Sequence, residues 1–124
     1  MPTYSALPDA ELLVIGYLNG HGFAASTDLP TAPTYPLLTV NRIGGIPVDR
    51  VLDVARLQVD AWGASRASAG DYARSARAAL LAMPDSVPRV TAVLDDLGLS
   101  WQPDTVVTPP RPRFLFGVAV YLRP

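Results

Sequence analysis

Cysteine is absent from the 124 residues, and so is lysine, because all ten basic residues are arginine. Without cysteine the chain has no thiol nucleophile, no thiolate metal site and no disulfide framework. Without lysine there is no amine for a Schiff base and no P-loop lysine to hold a phosphate. A GC-rich genome, which favours arginine codons, accounts for that bias. An excess of either charge is missing too. The formal net charge of -1 removes the long-range field with which an autonomous nucleic-acid binder neutralises phosphates, although local arginine patches remain open. No apolar run approaches the ~20 residues that a membrane-spanning helix requires, and a soluble chain is expected. Met1-Pro-Thr-Tyr-Ser-Ala6 has no basic stretch ahead of an apolar core, so no secretory signal is expected and the chain should begin work in a cytoplasm.

What is present suffices for one domain spanning 1–124. A hydrophobic fraction of 49% is ordinary for a globular chain, and a domain of this length removes roughly two thirds of its unfolded surface from water without staples. The most informative segment is Asp53-Val-Ala-Arg-Leu-Gln-Val-Asp-Ala-Trp62. Ala55, Leu57, Val59 and Ala61 point to one face and Arg56, Gln58, Asp60 and Trp62 to the other, the two-residue period of a half-buried strand. The second face is polar yet carries a Trp, which marks it as a surface where a small structural protein would meet a neighbour.

Around this strand the other elements fall into place. Pro8-Asp-Ala-Glu11 opens a helix, with carboxylates where a helix N-terminus favours negative charge. Leu12 to Leu18 is apolar nearly all round and should be largely covered. Gly20 and Gly22 end it, and Phe23 to Asp28 reads as a short strand stopped by Pro30. Leu37 to Ile43 is a strand closed by Gly44-Gly45. Ile46 to Asp49 is an exposed loop, and the two strands on either side of it are antiparallel neighbours. Ser68 caps a helix from Ala69 to Met83 whose inner face holds Tyr72, Ala73, Ala76, Ala79, Leu80 and Met83, with Asp71, Arg74 and Arg77 in water. Val90 to Leu97 is a strand and Gly98 to Arg113 a turn-rich loop. In the last strand Phe114, Phe116, Val118, Val120 and Leu122 share one face, worth roughly 10 kcal/mol if all are buried, so the strand is central or next to central. The small residues of its other face, Gly117 and Ala119 between Leu115 and Tyr121, allow a helix to lie close. The expected fold is α+β: a mostly antiparallel or mixed sheet of about five strands with two helices on one face, in the order α-β-β-β-α-β-β.

Chemistry-bearing patterns are few. Gly20-His-Gly-Phe-Ala-Ala25 has the letters of a dinucleotide fingerprint, but a helix precedes it where a strand is needed, so its glycines read as helix terminators. His21, the single histidine, would have to serve any Ser-His-Asp arrangement with Ser26 and Asp28, and no nucleophile-elbow pattern accompanies it. Asp95, Asp96 and Asp104 offer hard oxygen ligands at a spacing that fits no recognised metal loop and read as solvated turn carboxylates. Pro109-Pro-Arg-Pro-Arg113 contains the PxxP string of polyproline ligands and reads first as a stiff spacer. Arg74 and Arg77 lie on a helix face that is solvated or meets an anionic group of a partner. Trp62 and Trp101 are of the residue type that dominates interfaces, and core packing explains either equally well. No catalytic, cofactor or metal residue stands out, and no enzyme activity is expected.

Together, Thr39-Val-Asn-Arg-Ile-Gly-Gly45, Val48-Asp49, Arg56-Leu-Gln-Val-Asp-Ala-Trp62 with the Ala-rich helix after it, Trp101-Gln-Pro-Asp104 and Pro112-Arg-Phe-Leu-Phe-Gly-Val-Ala-Val120 carry a family likeness over most of the chain. It resembles the tail terminator, or tail-to-head joining, proteins of long-tailed siphophages that infect actinobacteria. The resemblance implies a small subunit forming a homohexameric ring in the neck of the virion tail. Such a ring docks on the last ring of tail tube protein, ends tube growth and offers a surface to the head-tail connector or stopper. It implies assembly in the host cytoplasm, DNA passing through the lumen without sequence-specific binding, no membrane, no cofactor and no enzyme activity. Another neck component, such as a head-tail stopper, shares this size and class, and a small ligand-binding α+β domain is the alternative of a different kind. Loop position and composition make Gly44 to Arg50 the first candidate contact, through Gly44, Gly45, Asp49 and Arg50. Trp101 to Arg113 is the second, through Trp101, Asp104, Arg111 and Arg113. Arg42 and Arg50 would lie near subunit boundaries or the lumen, and Trp62, Arg74 and Arg77 complete the candidate set.

Overall fold

The alternation of Leu52–Trp62 places that strand at the centre of the molecule. In a computed structural model, which describes residues 7–49 and 52–123, the elements are α1 (Ala10–Gly20), β1 (Ala25–Ser26), β2 (Leu37–Gly44), β3 (Pro47–Asp49), β4 (Leu52–Trp62), α2 (Arg66–Leu81), β5 (Val90–Trp101) and β6 (Arg113–Leu122), with a 3-10 turn at Met83–Asp85. The sheet runs β1-β2-β4-β6-β5, and β3 adds to β4 as a short sixth strand. All pairings are antiparallel except β1 with β2. The sheet is therefore mixed and the class is α+β. The observed order is α-β-β-β-β-α-β-β, one strand more than expected, because Pro47 to Asp49 pairs with β4 where the sequence reads as loop.

Both helices lie on one face, against a single cluster built from Leu38 and Val40, Ala55, Leu57, Val59 and Ala61, Val90 and Val93, and Phe116, Val118, Val120 and Leu122. The four β6 side chains in it are fully buried, at about 2 kcal/mol each. Phe114, the fifth member of that face, is only partly covered. The helices thus pack on the large-residue face of β6 and not over Gly117 and Ala119. The room above Gly117 is taken by a neighbouring strand: a Cβ there would lie 3.1 Å from Leu97 Cβ.

Local chemistry explains the helices. Asp9 caps α1 by accepting from Leu12 N at 3.2 Å, and Ala10, Val14 and Leu18, four apart, form its buried stripe. Leu12 points away and is 64% exposed, so α1 is covered on one side only. Gly22 at φ 88 turns the chain out of the helix. The cap of α2 lies three residues before the expected Ser68. Ser65 accepts from Ser68 N at 3.1 Å while Ser68 Oγ accepts from Ser65 N at 3.1 Å, a reciprocal capping box in which both serines take part. Ala69, Ala73, Ala76 and Leu80 face the core, and the small size of the three alanines lets the helix approach the sheet. Met83 is buried too, within the 3-10 turn.

Candidate functional site

The candidate contact residues sort into two turns at opposite ends of the sheet and the faces between them. Leu37 lies beside Trp62 and Gly44 beside Arg56, while Trp62 lies beside Arg113 and Asp53 beside Leu122. The turn after β2 is therefore at the Asp53 end of β4 and the turn between β5 and β6 at its Trp62 end. At about 3.4 Å per residue the 11-residue β4 separates them by roughly 35 Å.

At the first end, Gly45 adopts φ +90, and a Cβ there would sit 1.9 Å from Val54 O, so only glycine fits. Gly44 is unconstrained, its nearest neighbour being Arg56 Nη1 at 3.6 Å. The turn is clamped from beneath by Arg42. Its guanidinium donates to Gly44 O at 3.0 Å and Gly45 O at 3.3 Å, and to both oxygens of Asp53 at 2.7 and 2.9 Å. Asp53 is 1% exposed, and the bond from it raises the affinity of Arg42 for its proton above the ordinary value, against the opposing effect of burial. The Arg42 guanidinium, expected near a subunit boundary or the lumen, thus bonds to Asp53 and the turn carbonyls of its own chain. The surface of the turn is largely aliphatic: Ile43, Ile46 and Val48 are all exposed, Ile46 by 72%. The Asp49 backbone pairs with Leu52, and Arg50 lies outside the described residues.

At the other end the expected loop is largely ladder. β5 runs on to Trp101, past Gly98, and the hairpin continues through Gln102 N to Arg113 O at 3.0 Å and a two-way bridge between Asp104 and Arg111 at 2.9 Å each. Asp104 also accepts from Val106 N at 3.0 Å, fixing a tight turn that holds Val106 in water at 92% exposure. The main chain of Arg111 and Arg113 is engaged in this ladder, which ties the proline string into the hairpin.

For Trp62 the structure favours the packing reading over the interface one. Alternation assigns it to the face without helices, and it does lie there, yet it is only 5% exposed. Its Nε1 donates to Thr39 Oγ1 at 3.1 Å, and the Arg113 guanidinium stacks 5.1 Å from its ring, with Arg113 Nε donating to Gln102 O at 2.8 Å. Beside it Asp60, 8% exposed, accepts from Gln58 Nε2 at 2.9 Å and lies 4.0 Å from Arg113 Nη1. Burial pushes its carboxyl above the usual range, against the opposing pull of Gln58, Arg113 and Thr39. Trp62 is therefore packing, not a projecting anchor. Trp101 is half-buried, 5.3 Å from the Phe114 ring, with the Arg66 guanidinium 4.9 Å over it.

The two candidate arginines of α2 and both aspartates of the Asp95-Asp96 pair are matched within the chain. Arg77 holds Asp95 through two bonds of 2.8 and 2.6 Å, which keep the Asp95 carboxyl below the usual range. Arg56 holds Asp96 at 2.9 Å, and Arg74 pairs with Asp71. Asp95 and Asp96 thus face separate arginines rather than a common centre, and among the described residues no group of three His, Cys, Asp or Glu side chains is placed to hold a metal ion. His21 caps the end of α1, its Nδ1 2.9 Å from Tyr17 O, while Ser26 Oγ donates to Asp28 O at 2.9 Å. These three residues form no relay. Composition did not single out Leu94, Leu97 and Leu99 along β5, all exposed, or an open cavity of about 300 Å³ beside β1 lined mainly by alanines, Pro30 and Leu37. The chain matches no family model, and a search of curated proteins returned no match.

Proposed function

We propose that this chain is a structural subunit of a long-tailed phage tail, a tail terminator that caps the tail tube as a ring, ends tube polymerisation and forms the joint to the head connector. The observation that supports this most is the pair of aliphatic turns at opposite ends of one continuous sheet, Ile43, Ile46 and Val48 at one and Val106 at the other. A joint must bind two different neighbours at once, and a rigid strand ladder with a separate docking tip at each end does that. The exposed leucines of β5 give a third, lateral surface for the next copy. Unlike contacts of that kind close into a ring when the rotation between copies allows. On this reading the chain is not an enzyme, and DNA passes the ring without specific contacts.

Negative-stain electron microscopy of the purified protein, alone and mixed with tail tubes, tests the proposal. Six-fold rings, or caps confined to one end of each tube, are expected. A protein that leaves tubes uncapped and still elongating refutes it. Binding to isolated head connectors without tubes would instead identify a head-tail stopper, which the same two-ended geometry also suits.

A further inference from the structure

The β1 side of the sheet is closed by side chains. β1 is the last strand on its side, so its outward N–H and C=O would ordinarily stand open to another chain. Here Asn19 Nδ2 donates to Ala25 O at 3.1 Å, and Asn19 Oδ1 accepts from Ala25 N at 2.8 Å. One carboxamide thus presents to Ala25 the donor and the acceptor that the peptide groups of an added strand would present. Past the end of the short β1, β2 itself becomes the edge. Leu38 N turns to this side and donates to Ala24 O at 2.8 Å. Arg42, an even number of residues further on, turns its N–H the same way, where it donates to Glu11 Oε2 at 3.2 Å. Asn19 and Glu11 stand near opposite ends of α1.

We propose that α1 is an edge guard, with Asn19 and Glu11 holding the main-chain positions that a strand from a second copy would otherwise take. The second copy is the occupant that the fold makes available. At the far side of the same sheet β5 is an edge strand with Leu94, Leu97 and Leu99 exposed, and the apolar cavity beside β1 would receive such side chains. Pairing of unlike edges repeats from copy to copy, and where the rotation does not close it makes fibres. With the guard in place, copies meet through side chains and turns rather than through one continuous sheet. This holds whether or not the chain works in a phage tail.

Amide exchange and sedimentation test it. Asn19→Ala should speed exchange of the Ala25 amide by about fivefold, as expected for loss of a single hydrogen bond, and leave that of Val59 at the sheet centre unchanged. The double variant Asn19→Ala, Glu11→Ala should sediment as concentration-dependent larger species. Because the chain lacks cysteine, Ser26→Cys with Leu97→Cys should cross-link between copies in the unguarded background and not in the guarded one. Unchanged Ala25 exchange, a folded double variant that sediments like the unsubstituted chain, or equal cross-linking in both backgrounds would each overturn the proposal. If the alanine variants do not fold, the near size-matched pair Asn19→Leu and Glu11→Met, which keeps the bulk and removes every side-chain donor and acceptor, carries the same sedimentation and cross-linking tests, with the same outcomes deciding.

Discussion

Replacing Arg42 by Met keeps the length of the side chain and removes four hydrogen bonds: two to Asp53 and one each to Gly44 O and Gly45 O. The consequence falls on Asp53, which is 1% exposed and would be left as a buried carboxylate without its cation. Breaking such a pair from one side costs about 3–5 kcal/mol. The Arg42 side chain is itself 31% exposed, so water replaces part of what is lost, and a loss near 3 kcal/mol is expected. At about 4 °C per kcal/mol for a domain of this size, the melting temperature falls by roughly 12 °C. Urea denaturation followed by circular dichroism measures the first figure and a thermal scan the second. The double variant Arg42→Met, Asp53→Leu separates the causes, because it removes the stranded charge along with its partner. It should recover most of the loss, with the coupling read from the full mutant cycle. A loss below about 1 kcal/mol for Arg42→Met, or a double variant no more stable than the single, would refute the argument that Asp53 depends on this clamp.

Gly45→Ala should destabilise by about 2 kcal/mol or more, since φ +90 and a 1.9 Å approach to Val54 O both oppose a side chain, whereas Gly44→Ala should change stability by less than about 1 kcal/mol; denaturation midpoints of the two variants check this. The two shifted carboxylates give opposite pH dependences. Asp95 is held low by Arg77, so its contribution is present above the unfolded value of about 4 and is lost as pH falls through the lower folded value. Asp60 is held high by burial, so its contribution is present below about pH 4 and is lost as pH rises through the folded value. Asp95→Asn should therefore flatten the decline in stability below about pH 4, and Asp60→Asn should flatten the change just above it, both read from denaturation at a series of pH values. Ile46→Asp and Val106→Asp should leave the melting temperature within a few degrees, because both side chains are already in water. Under the proposed function each should abolish one attachment, tube capping or head joining, in an in vitro tail assembly assay.

Most of the fold could be read from periodicity because the sheet obeys it. The alternation from Asp53 to Trp62 and from Phe114 to Leu122 named the core faces of β4 and β6, and both helices cover those faces. The misses have local causes. Ser65 and Ser68 are both cap formers, and only the reciprocal bonds between them show that the helix starts at the earlier one. Gly98 looks like a turn residue and ends the expected strand at Leu97, yet β5 runs on to Trp101 because an edge strand absorbs such residues in bulges, two of which lie between Asp95 and Ser100. Ile46 to Asp49 reads as a loop after Gly44-Gly45, but Pro47–Asp49 is a short strand paired with the start of β4, at a position where proline is tolerated.

The candidate site was harder to read, for a reason that residue type cannot overcome. Trp and Arg were chosen because they dominate interfaces, and this chain uses them internally: Arg113 lies over Trp62 and Arg66 over Trp101, while Arg42, Arg56, Arg74 and Arg77 are each paired with an aspartate. A chain without lysine must build its internal ion pairs from arginine, so arginine loses its value as a surface marker. At the two turns, large aliphatic side chains stand in water, and in sequence Ile43 is indistinguishable from Val40, three residues earlier and fully buried. What separates them is place in the sheet: Val40 belongs to the core cluster under the helices, while Ile43 falls in the register break between Arg42 and Gly44 at the end of β2, beside a turn that Arg42 and Gly45 hold rigid. An apolar residue on a clamped turn exposes surface that the fold gives it no means to bury, and only a partner can remove it from water.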